Sequence, residues 1–278
     1  MLVTIRMRKF IKYYTYFVFL ATLFVAYAYA ETYWIKINYV KVVSKQIPKG
    51  FEGKRMVFVS DIHHGPYFSI QRVKKLVAQI NELKPDIILL GGDYVHRNPI
   101  YIKPVFEALA NLKSKHGVYA IYGNHDHWEG YEATKLMMEG NNFKICDNKS
   151  YWVRLAGDSI KIGGVGDYWE SGQLIDSTIH DVQPEHFCVV LTHNPDYFKE
   201  LETSRVDLAL AGHTHGGQVT LFGLWAPVLP TLTGNKFRYG LKKVGATQFY
   251  TTSGVGTITP PLRFFCRPEI VCIELKNE

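Results

Sequence analysis

VDLALAGHTH, residues 206–215, begins as a run of apolar residues and ends in two histidines two positions apart. Its apolar part has the composition of a strand that is buried on both faces of a sheet. Alternate side chains of an extended chain lie on the same side, so His213 and His215 can face one ligand. The glycines on both sides of the histidines leave room for the backbone to approach that ligand. The segment therefore predicts a buried strand that delivers two imidazoles at its carboxyl end.

Four earlier apolar runs have the same form, and each also ends at a side chain that can bind a metal ion. These runs are RMVFVSDIH (55–63), PDIILLGGD (85–93), GVYAIYGNHD (117–126) and HFCVVLTHNPD (186–196). Helical patterns lie between consecutive runs, at 69–83 with Ser69 as N-cap, at 101–114 and at 130–140. The alternation predicts an α/β fold whose buried sheet directs its strand ends to one crevice.

The strand ends together supply seven candidate metal ligands. They are Asp61, His63, Asp93, Asn124, His193, His213 and His215, and His125 lies beside them in sequence. A single histidine of this kind would more readily be a structural residue, but five strand ends agree. Carboxylate oxygen mixed with imidazole nitrogen suits manganese, iron or zinc better than calcium or copper(I). Seven ligands are too many for one ion, so the set predicts two metal sites if one carboxylate bridges them.

Composition narrows the class of protein. A chain of 278 residues with 47% hydrophobic content can bury a substantial core. The net charge of +7 suits an anionic partner, but no long basic run is present, so binding of nucleic acid is not expected. The four cysteines show no CxxC spacing and predict reduced, packed thiols: Cys146, Cys188, Cys266 and Cys272.

The amino-terminal segment predicts a membrane association. Residues 13–30 carry no charge, follow four basic residues, and are just long enough to span a bilayer. The small residues that end this segment also fit a cleaved secretory signal. Basic residues flank both ends of the segment, so the distribution of positive charge hardly determines its orientation in the membrane. A short amino-terminal tail usually stays in the cytoplasm, which favours a main domain outside it. We expect an amino-terminal segment at 1–31, a linker at 32–50 and one domain at 51–278.

The order of the motifs resembles the calcineurin-like metallophosphoesterase superfamily over about residues 50–275. The motifs that carry the resemblance are DxH at 61–63, GD at 92–93, GNHD at 123–126, the histidine at 193 and GHTH at 212–215. The resemblance implies a four-layer α/β/β/α sandwich of two mixed sheets with helices outside. Several longer segments are similar to those of the bacterial branch with YaeI-type phosphodiesterases, namely LLGGDYV, THNPD, GHTHGGQ, YTTSGVGT and CRPEI. That branch includes membrane-associated enzymes that cleave UDP-2,3-diacylglucosamine in lipid A synthesis.

The resemblance also assigns roles to the candidate residues. It makes Asp61, His63 and His215 the ligands of a first metal ion, and Asn124, His193 and His213 those of a second, with Asp93 as the bridge. It places His125 beside the substrate phosphate. Phosphatase members read GDxxDR, whereas His96 stands here in place of their second aspartate, which orients the catalytic histidine. Asp126 is a candidate to take over that task.

Together these features predict a phosphohydrolase with two divalent ions, Mn²⁺ first, with Fe²⁺, Zn²⁺ or Mg²⁺ as alternatives. Two such ions about 3.5–4 Å apart lower the pKa of a shared water, and the hydroxide attacks phosphorus. The membrane segment and an apolar loop within 221–240 favour a lipid-linked phosphodiester or pyrophosphate, such as the glycolipid nucleotide UDP-2,3-diacylglucosamine. That nucleotide is cytoplasmic, so an exported domain would instead act on an envelope phosphodiester. Alternatives are a phosphomonoesterase, including a protein phosphatase, and a catalytically silent binding scaffold.

Overall fold

Two six-stranded sheets pack face to face in the structure, a computed structural model that describes residues 2–201 and 205–278. The first sheet contains β1 (Lys36–Val43), β2 (Arg55–Val59), β3 (Ile87–Leu90), β4 (Val118–Ala120), β5 (Lys144–Ile145) and β12 (Glu269–Lys276). The second contains β6 (Ser150–Leu155), β7 (Asp158–Gly164), β8 (Cys188–Leu191), β9 (Leu208–Ala211), β10 (Gly240–Val244) and β11 (Thr247–Thr251). Both sheets are mixed, since β12 runs antiparallel to β2 and β6 antiparallel to β7.

Helices cover the outer face of each sheet. They are α2 (Ile70–Glu82), α3 (Ile102–Leu109) and α4 (Asn124–Gly140) on the first sheet, and α5 (Ile175–Ile179) with the 3-10 segment Pro195–Leu201 on the second. Three apolar cores result: one under each helical layer, and one between the sheets where residues such as Phe58, Tyr119 and Leu210 meet. The predicted four-layer sandwich is confirmed, and all four cysteines are buried and free.

Helix α4 begins earlier than the sequence pattern predicts. Strand β4 ends at Ala120, and the helix starts at Asn124 rather than at 130. The Asp126 carboxylate accepts the backbone N–H of Gly123 at 2.9 Å, which caps the helix at this point. The pattern after 130 is broken because Gly130 has φ of 149°, and the helix bends there. The early start places Asn124 and His125 in the first turn of α4.

Strand β1 lies within residues 32–50, where the sequence predicted a linker. Residues Lys36–Val43 run parallel to β12 and form the edge of the first sheet. The strand escapes notice in the sequence because half-exposed and exposed residues alternate along it, as at a sheet edge, and only Val42 is fully buried. Ile47 and Phe51 follow it into the core between the sheets.

Helix α1 (Leu2–Glu31) contacts the sandwich through its carboxyl-terminal part, from Phe24 to Glu31. The carbonyl of Ala28 accepts the Arg263 N–H at 2.8 Å. The buried Glu31 carboxylate accepts the backbone N–H groups of Phe265 at 3.0 Å and Cys266 at 2.7 Å. Among the described residues, α1 is the one helix long and apolar enough to cross a membrane, over Arg6–Glu31. It is joined to the domain by direct contacts and not through a free linker.

Candidate metal centre

The seven predicted ligands follow the strands that the sequence indicated, or begin the next helix. Asp61 and His63 follow β2, Asp93 follows β3, His193 follows β8, and the GHTH pair follows β9. Five of them have positive φ: Asp61, His63, Asp93, His213 and His215. Such conformations cost non-glycine residues of order 1 kcal/mol each and cluster at functional sites, where the surrounding fold holds them. The backbone thus turns sharply at each strand end to bring these side chains together.

Asp61, His63 and His215 form a first buried group. Their ligand atoms all lie within 4.8 Å of one another. The Nε2 atoms of His63 and His215 are 3.1 Å apart, and Oδ1 of Asp61 lies 3.4 Å from Nε2 of His215. This is the set that the resemblance assigns to the first ion.

Asp93, His193 and His213 form a second buried group, again within 4.8 Å. Oδ2 of Asp93 is 3.2 Å from Nε2 of His193 and 3.3 Å from Nε2 of His63. Asp93 therefore touches both groups, in the position of a bridging ligand. Asn124 lines the same cavity, and its buried Oδ1 has no hydrogen-bond partner among the described residues.

The donor set fits two divalent cations. Burial lowers the pKa of His63 and His215 well below the ordinary value and lowers that of His213 to about 3, so these imidazoles are neutral and offer lone pairs. Nδ1 of His193 donates to the Gly91 carbonyl at 2.7 Å, so Nε2, which faces Asp93, is the nitrogen left to bind a cation. Burial opposes protonation of His193, but the Asp93 carboxylate outweighs it and raises the pKa of His193 well above the ordinary value, so a cation bound there would replace a proton. Two neutral imidazole nitrogens 3.1 Å apart, at His63 and His215, suit a shared cation between them.

Two carboxylates in this set have opposite pKa shifts. Burial raises the pKa of Asp61 to about 6. For Asp93, burial acts in the same direction, but the neighbouring His193 outweighs it and holds the pKa well below the ordinary value. A cation in the first group would favour ionised Asp61, whose two oxygens also accept the His213 N–H at 3.0 and 3.1 Å.

Glycines are required where the strands approach these carboxylates. A Cβ atom on Gly212 would lie 2.2 Å from Oδ2 of Asp61 and 2.1 Å from Oγ of Ser60. A Cβ atom on Gly123 would lie 2.3 Å from Oδ1 of Asp93. A side chain at position 212 would therefore displace Asp61, one of the predicted ligands.

Asp126 supports the backbone around Asp93 instead of orienting His125. Its buried carboxylate accepts the backbone N–H groups of Asp93 at 2.7 Å and Tyr94 at 2.9 Å, besides that of Gly123. Burial, with a contribution from the Asp93 carboxylate, raises the pKa of Asp126 to about 8, while these three N–H groups act in the opposite direction. Asp126 thus fixes the turn that presents Asp93.

His125 has a different neighbour, one that the sequence analysis missed. Its Nδ1 lies 3.4 Å from Oε1 of Glu129, four residues further along α4. Its backbone N–H donates to Oδ1 of Asp93 at 2.9 Å. The i, i+4 spacing of a helix was the signal that could have identified Glu129, once α4 was known to start before His125.

His96 is buried at the edge of the centre. Its ring centroid lies 5.5 Å from that of His63 and 5.6 Å from that of His125. Neither ring nitrogen has a hydrogen-bond partner among the described residues. Burial, with the nearby His125 and Arg97, lowers its pKa to about 4, so the ring is neutral.

A cavity of about 200 Å³ opens over the two groups. Trp128 and Trp169 stack at 6.2 Å to form one wall, and Pro230 and Ile258 add apolar surface. The Trp169 ring lies 4.4 Å from His213, and the Trp128 ring 4.9 Å from His125. Neither tryptophan belongs to any of the five motifs, and only folding brings Trp169 to the cavity.

Comparison with known proteins agrees with this geometry. Residues 54–217 match the family model described as calcineurin-like phosphoesterase. The chain is 32% identical to the uncharacterized metallophosphoesterase YkuE of Bacillus subtilis (strain 168), over 90% of this chain and 88% of that one. It is 30% identical to the phosphodiesterase YaeI of Escherichia coli (strain K12), over 80% of this chain and 82% of that one.

A solved structure shares the fold. The Haemophilus influenzae NAD nucleotidase NadN superposes with a TM-score of 0.53 at 13% identity, over 73% of this chain and 45% of that one. The chain thus spans less than half of the nucleotidase, and the likeness concerns the fold alone. With the family model covering more than half of its residues, the chain belongs to the calcineurin-like phosphoesterase family.

Proposed function

We propose that this protein is a two-metal-dependent hydrolase of phosphodiester or pyrophosphate bonds that acts on a lipid-linked substrate at a membrane. The observation that carries the proposal is the pair of buried ligand groups that share Asp93, with His125 at the rim of the same cavity. Asp61, His63 and His215 would hold one divalent ion, and Asn124, His193 and His213 the other, with Asp93 common to both. Mn²⁺ is the ion that we expect.

Ions held there would supply Lewis-acid polarisation of the phosphoryl group and a water acidic enough to attack phosphorus at neutral pH. The chain supplies the rest. Asp126 and the glycines at the strand ends keep Asp93 and Asp61 in place. His125 lines the cavity, where it is available to stabilise charge or to protonate the leaving oxygen. The Glu129 carboxylate lies beside Nδ1 of His125.

Charge favours a reacting phosphoryl group with one negative charge, as in a diester or in each half of a disubstituted pyrophosphate, over the dianionic phosphoryl group of a monoester. The two carboxylates in the ligand set, Asp61 and Asp93, leave two positive charges in excess when two divalent ions are bound. A hydroxide and a singly charged diester neutralise that excess, whereas a dianionic monoester exceeds it. The missing phosphatase aspartate at His96 supports the same preference, because this position presents a neutral imidazole.

A lipid-linked substrate is supported by α1 and by the apolar cavity wall. Helix α1 is long and apolar enough to anchor the protein in a bilayer. Trp128, Trp169 and Ile258 give the cavity an apolar side that a free phosphate does not need. UDP-2,3-diacylglucosamine is the candidate if the domain faces the cytoplasm, and an envelope phosphodiester if it faces outwards.

The test uses the full chain in detergent, stripped of metal and then given Mn²⁺. Rates are compared on bis-p-nitrophenyl phosphate, p-nitrophenyl phosphate and UDP-2,3-diacylglucosamine. We expect metal-dependent hydrolysis of the diester or the nucleotide, reduced in His125→Ala by about a hundredfold or more because the ring that stabilises charge at the phosphoryl group is lost. His180→Ala, which changes an exposed histidine, is the matched control and keeps the rate.

Each substrate decides a different part of the proposal. Turnover of the lipid nucleotide supports the pyrophosphatase and a cytoplasmic domain. Turnover of the simple diester alone supports the phosphodiesterase and an envelope role. A faster rate on the monoester overturns the diester preference, and no turnover with Mn²⁺, Fe²⁺, Zn²⁺ or Mg²⁺ points to a silent scaffold.

A further inference from the structure

A loop at residues 221–232, the apolar loop, exposes large apolar side chains beside the metal centre. Leu224 is 83% exposed, Val228 77% and Leu232 79%. Leu221, Phe222 and Trp225 are also exposed. Single exposed apolar residues need no explanation, but a run of six in one short loop indicates a surface that meets something apolar.

The backbone of the apolar loop is held by hydrogen bonds, so these side chains are presented by an ordered segment. Leu221 N–H donates to the Trp225 carbonyl at 2.8 Å, which closes the first turn. Arg238 donates to the Gly223 carbonyl at 2.7 Å. At the other end, the Asp196 carboxylate accepts the N–H of Leu232 at 2.8 Å.

The apolar loop is continuous with helix α1. The Phe222 ring lies 5.4 Å from that of Phe265, and the Phe265 ring contacts that of Phe264 edge-on, with ring centroids 4.5 Å apart. Phe264 in turn lies 4.5 Å from Phe24 and 5.6 Å from Tyr27 on α1. One chain of aromatic contacts therefore joins the loop to the helix that can enter a bilayer.

Sheet topology places α1 and the metal centre at the same edge of the sandwich. Strand β12 runs antiparallel to β2, so β12 begins at the edge where β2 ends and Asp61 follows. Strand β1 is parallel to β12 and begins opposite Glu269, at that same edge. Since α1 directly precedes β1, a bilayer containing α1 would lie over the edge that carries the ligands.

The charge of this region suits an anionic lipid surface. From Leu208 to Pro268 the sequence contains no aspartate or glutamate. The basic residues in this stretch are Lys236, Arg238, Lys242, Lys243, Arg263 and Arg267. Of these, Lys236, Lys242 and Arg267 are exposed, and so is Lys243, but Lys243 lies beside Ala246 at the far end of β10 and not near the loop. Basic side chains around an apolar patch are the arrangement that attracts a protein to anionic headgroups.

We propose that the apolar loop inserts into the surface of the same bilayer that α1 enters, as a second membrane contact. The metal centre would then open at the level of the headgroups, and a phosphoester of a lipid could reach it without leaving the membrane. The inference rests on the proposed function only in taking α1 as a membrane helix.

The test labels single introduced cysteines with the fluorophore NBD in the full chain. The four native cysteines are buried, so the label reacts with the new one. The variants are Val228→Cys in the apolar loop, Ala21→Cys in α1, and Ala246→Cys in the exposed turn before β11, at the opposite ends of the strands. Each is reconstituted into vesicles of phosphatidylcholine with phosphatidylglycerol, with or without brominated phosphatidylcholine as a quencher.

We expect brominated lipid to quench the label at 228 and at 21 but not at 246. Adding Leu224→Glu to the 228 variant should remove most of the quenching at 228 and leave that of the 21 variant unchanged. Quenching at 21 with none at 228 overturns the proposal, as does equal quenching at 228 and 246. Absence of quenching at 21 also overturns it, because α1 is then not inserted.

The same vesicles are assayed for hydrolysis of bis-p-nitrophenyl phosphate with Mn²⁺. Quenching at 228 without hydrolysis would support the membrane contact and count against the proposed enzyme. Hydrolysis without quenching at 228 would support the enzyme and overturn the membrane contact. The two proposals can therefore fail separately.

Discussion

His125 and Glu129 lie one helical turn apart on α4, with Nδ1 of the histidine 3.4 Å from Oε1 of the carboxylate. The family's phosphatase motif supplies an aspartate from the position that is His96 here. In this chain the carboxylate comes instead from the same helix as the histidine. Both side chains are mostly buried, so the pair is shielded from bulk water. We infer that Glu129 is a positioning residue that turns His125 towards the cavity.

Replacing Glu129 should therefore harm reactions in which the leaving group needs a proton. For Glu129→Gln we expect kcat to fall about tenfold to a hundredfold on a dialkyl phosphodiester and little on bis-p-nitrophenyl phosphate, whose nitrophenolate leaves unprotonated. Steady-state kinetics on the two substrates checks this. Glu132→Gln, at an exposed position of the same helix, is the control. An equal loss on both substrates would assign Glu129 a merely structural role.

Asp126 should govern how well Asp93 is presented to a metal ion. Because its carboxylate accepts three backbone N–H groups around that turn, Asp126→Ala leaves those donors buried without a partner. We expect Mn²⁺ affinity to fall about tenfold to a hundredfold, as for other groups that support metal ligands from behind. Calorimetric titration of the metal-free protein measures this. Asp158→Asn, remote from the centre, serves as the control, and unchanged affinity in Asp126→Ala would contradict the role.

Glu31 should be important for the stability of the folded domain, although it lies at the end of a helix that the sequence predicts to be a membrane anchor. Its carboxylate is 1% exposed and accepts the N–H groups of Phe265 and Cys266. Glu31→Ala should lower the free energy of unfolding by about 1–3 kcal/mol, because the buried N–H of Cys266 and the partly buried N–H of Phe265 lose their acceptor. Thermal unfolding in detergent tests this against Glu185→Ala, an exposed position. Equal melting temperatures for both variants would show that α1 is not anchored as described.

Asp196 should make the stability of the apolar loop depend on acid. Burial opposes ionisation of Asp196, but hydrogen bonds from Thr231, Leu232 and Thr233 outweigh it and lower the pKa. A depressed folded pKa means that this stabilisation is present above the unfolded value of about 3.9 and is lost as the pH falls through the folded pKa. Stability of wild type and Asp196→Asn should therefore differ at neutral pH and converge in acid.

The measurement for Asp196 is the midpoint of thermal unfolding over a series of pH values. Asp176→Asn changes an exposed carboxylate of the second sheet's outer layer and should leave the curve of the wild type unaltered. A difference between wild type and Asp196→Asn that stays constant from neutral pH into acid would mean that ionisation of Asp196 does not hold the loop.

The local chemistry of the centre was readable from the chain alone. Apolar runs that stop at Asp61, Asp93, His193 and His213 identify both the buried strands and the side chains at their ends, because strand burial and ligand type are properties of short segments. The same segments predicted the α/β fold, and the order of motifs indicated the family. The glycines beside the histidines were predicted to let the backbone approach a bound ligand, whereas the structure shows that Gly212 makes room for the Asp61 side chain.

Only the tertiary structure decided which distant segments meet. Strand β1 pairs with β12 across more than two hundred residues, so its place at the sheet edge follows from pairing that no local pattern encodes. The end of α1 lies at the same edge of the sandwich as the metal centre for the same reason. Trp169 reaches His213, and Glu31 reaches Cys266, for the same reason. Hydrophobic period and ligand spacing act over a few residues, whereas these contacts are fixed by how complete sheets and loops pack.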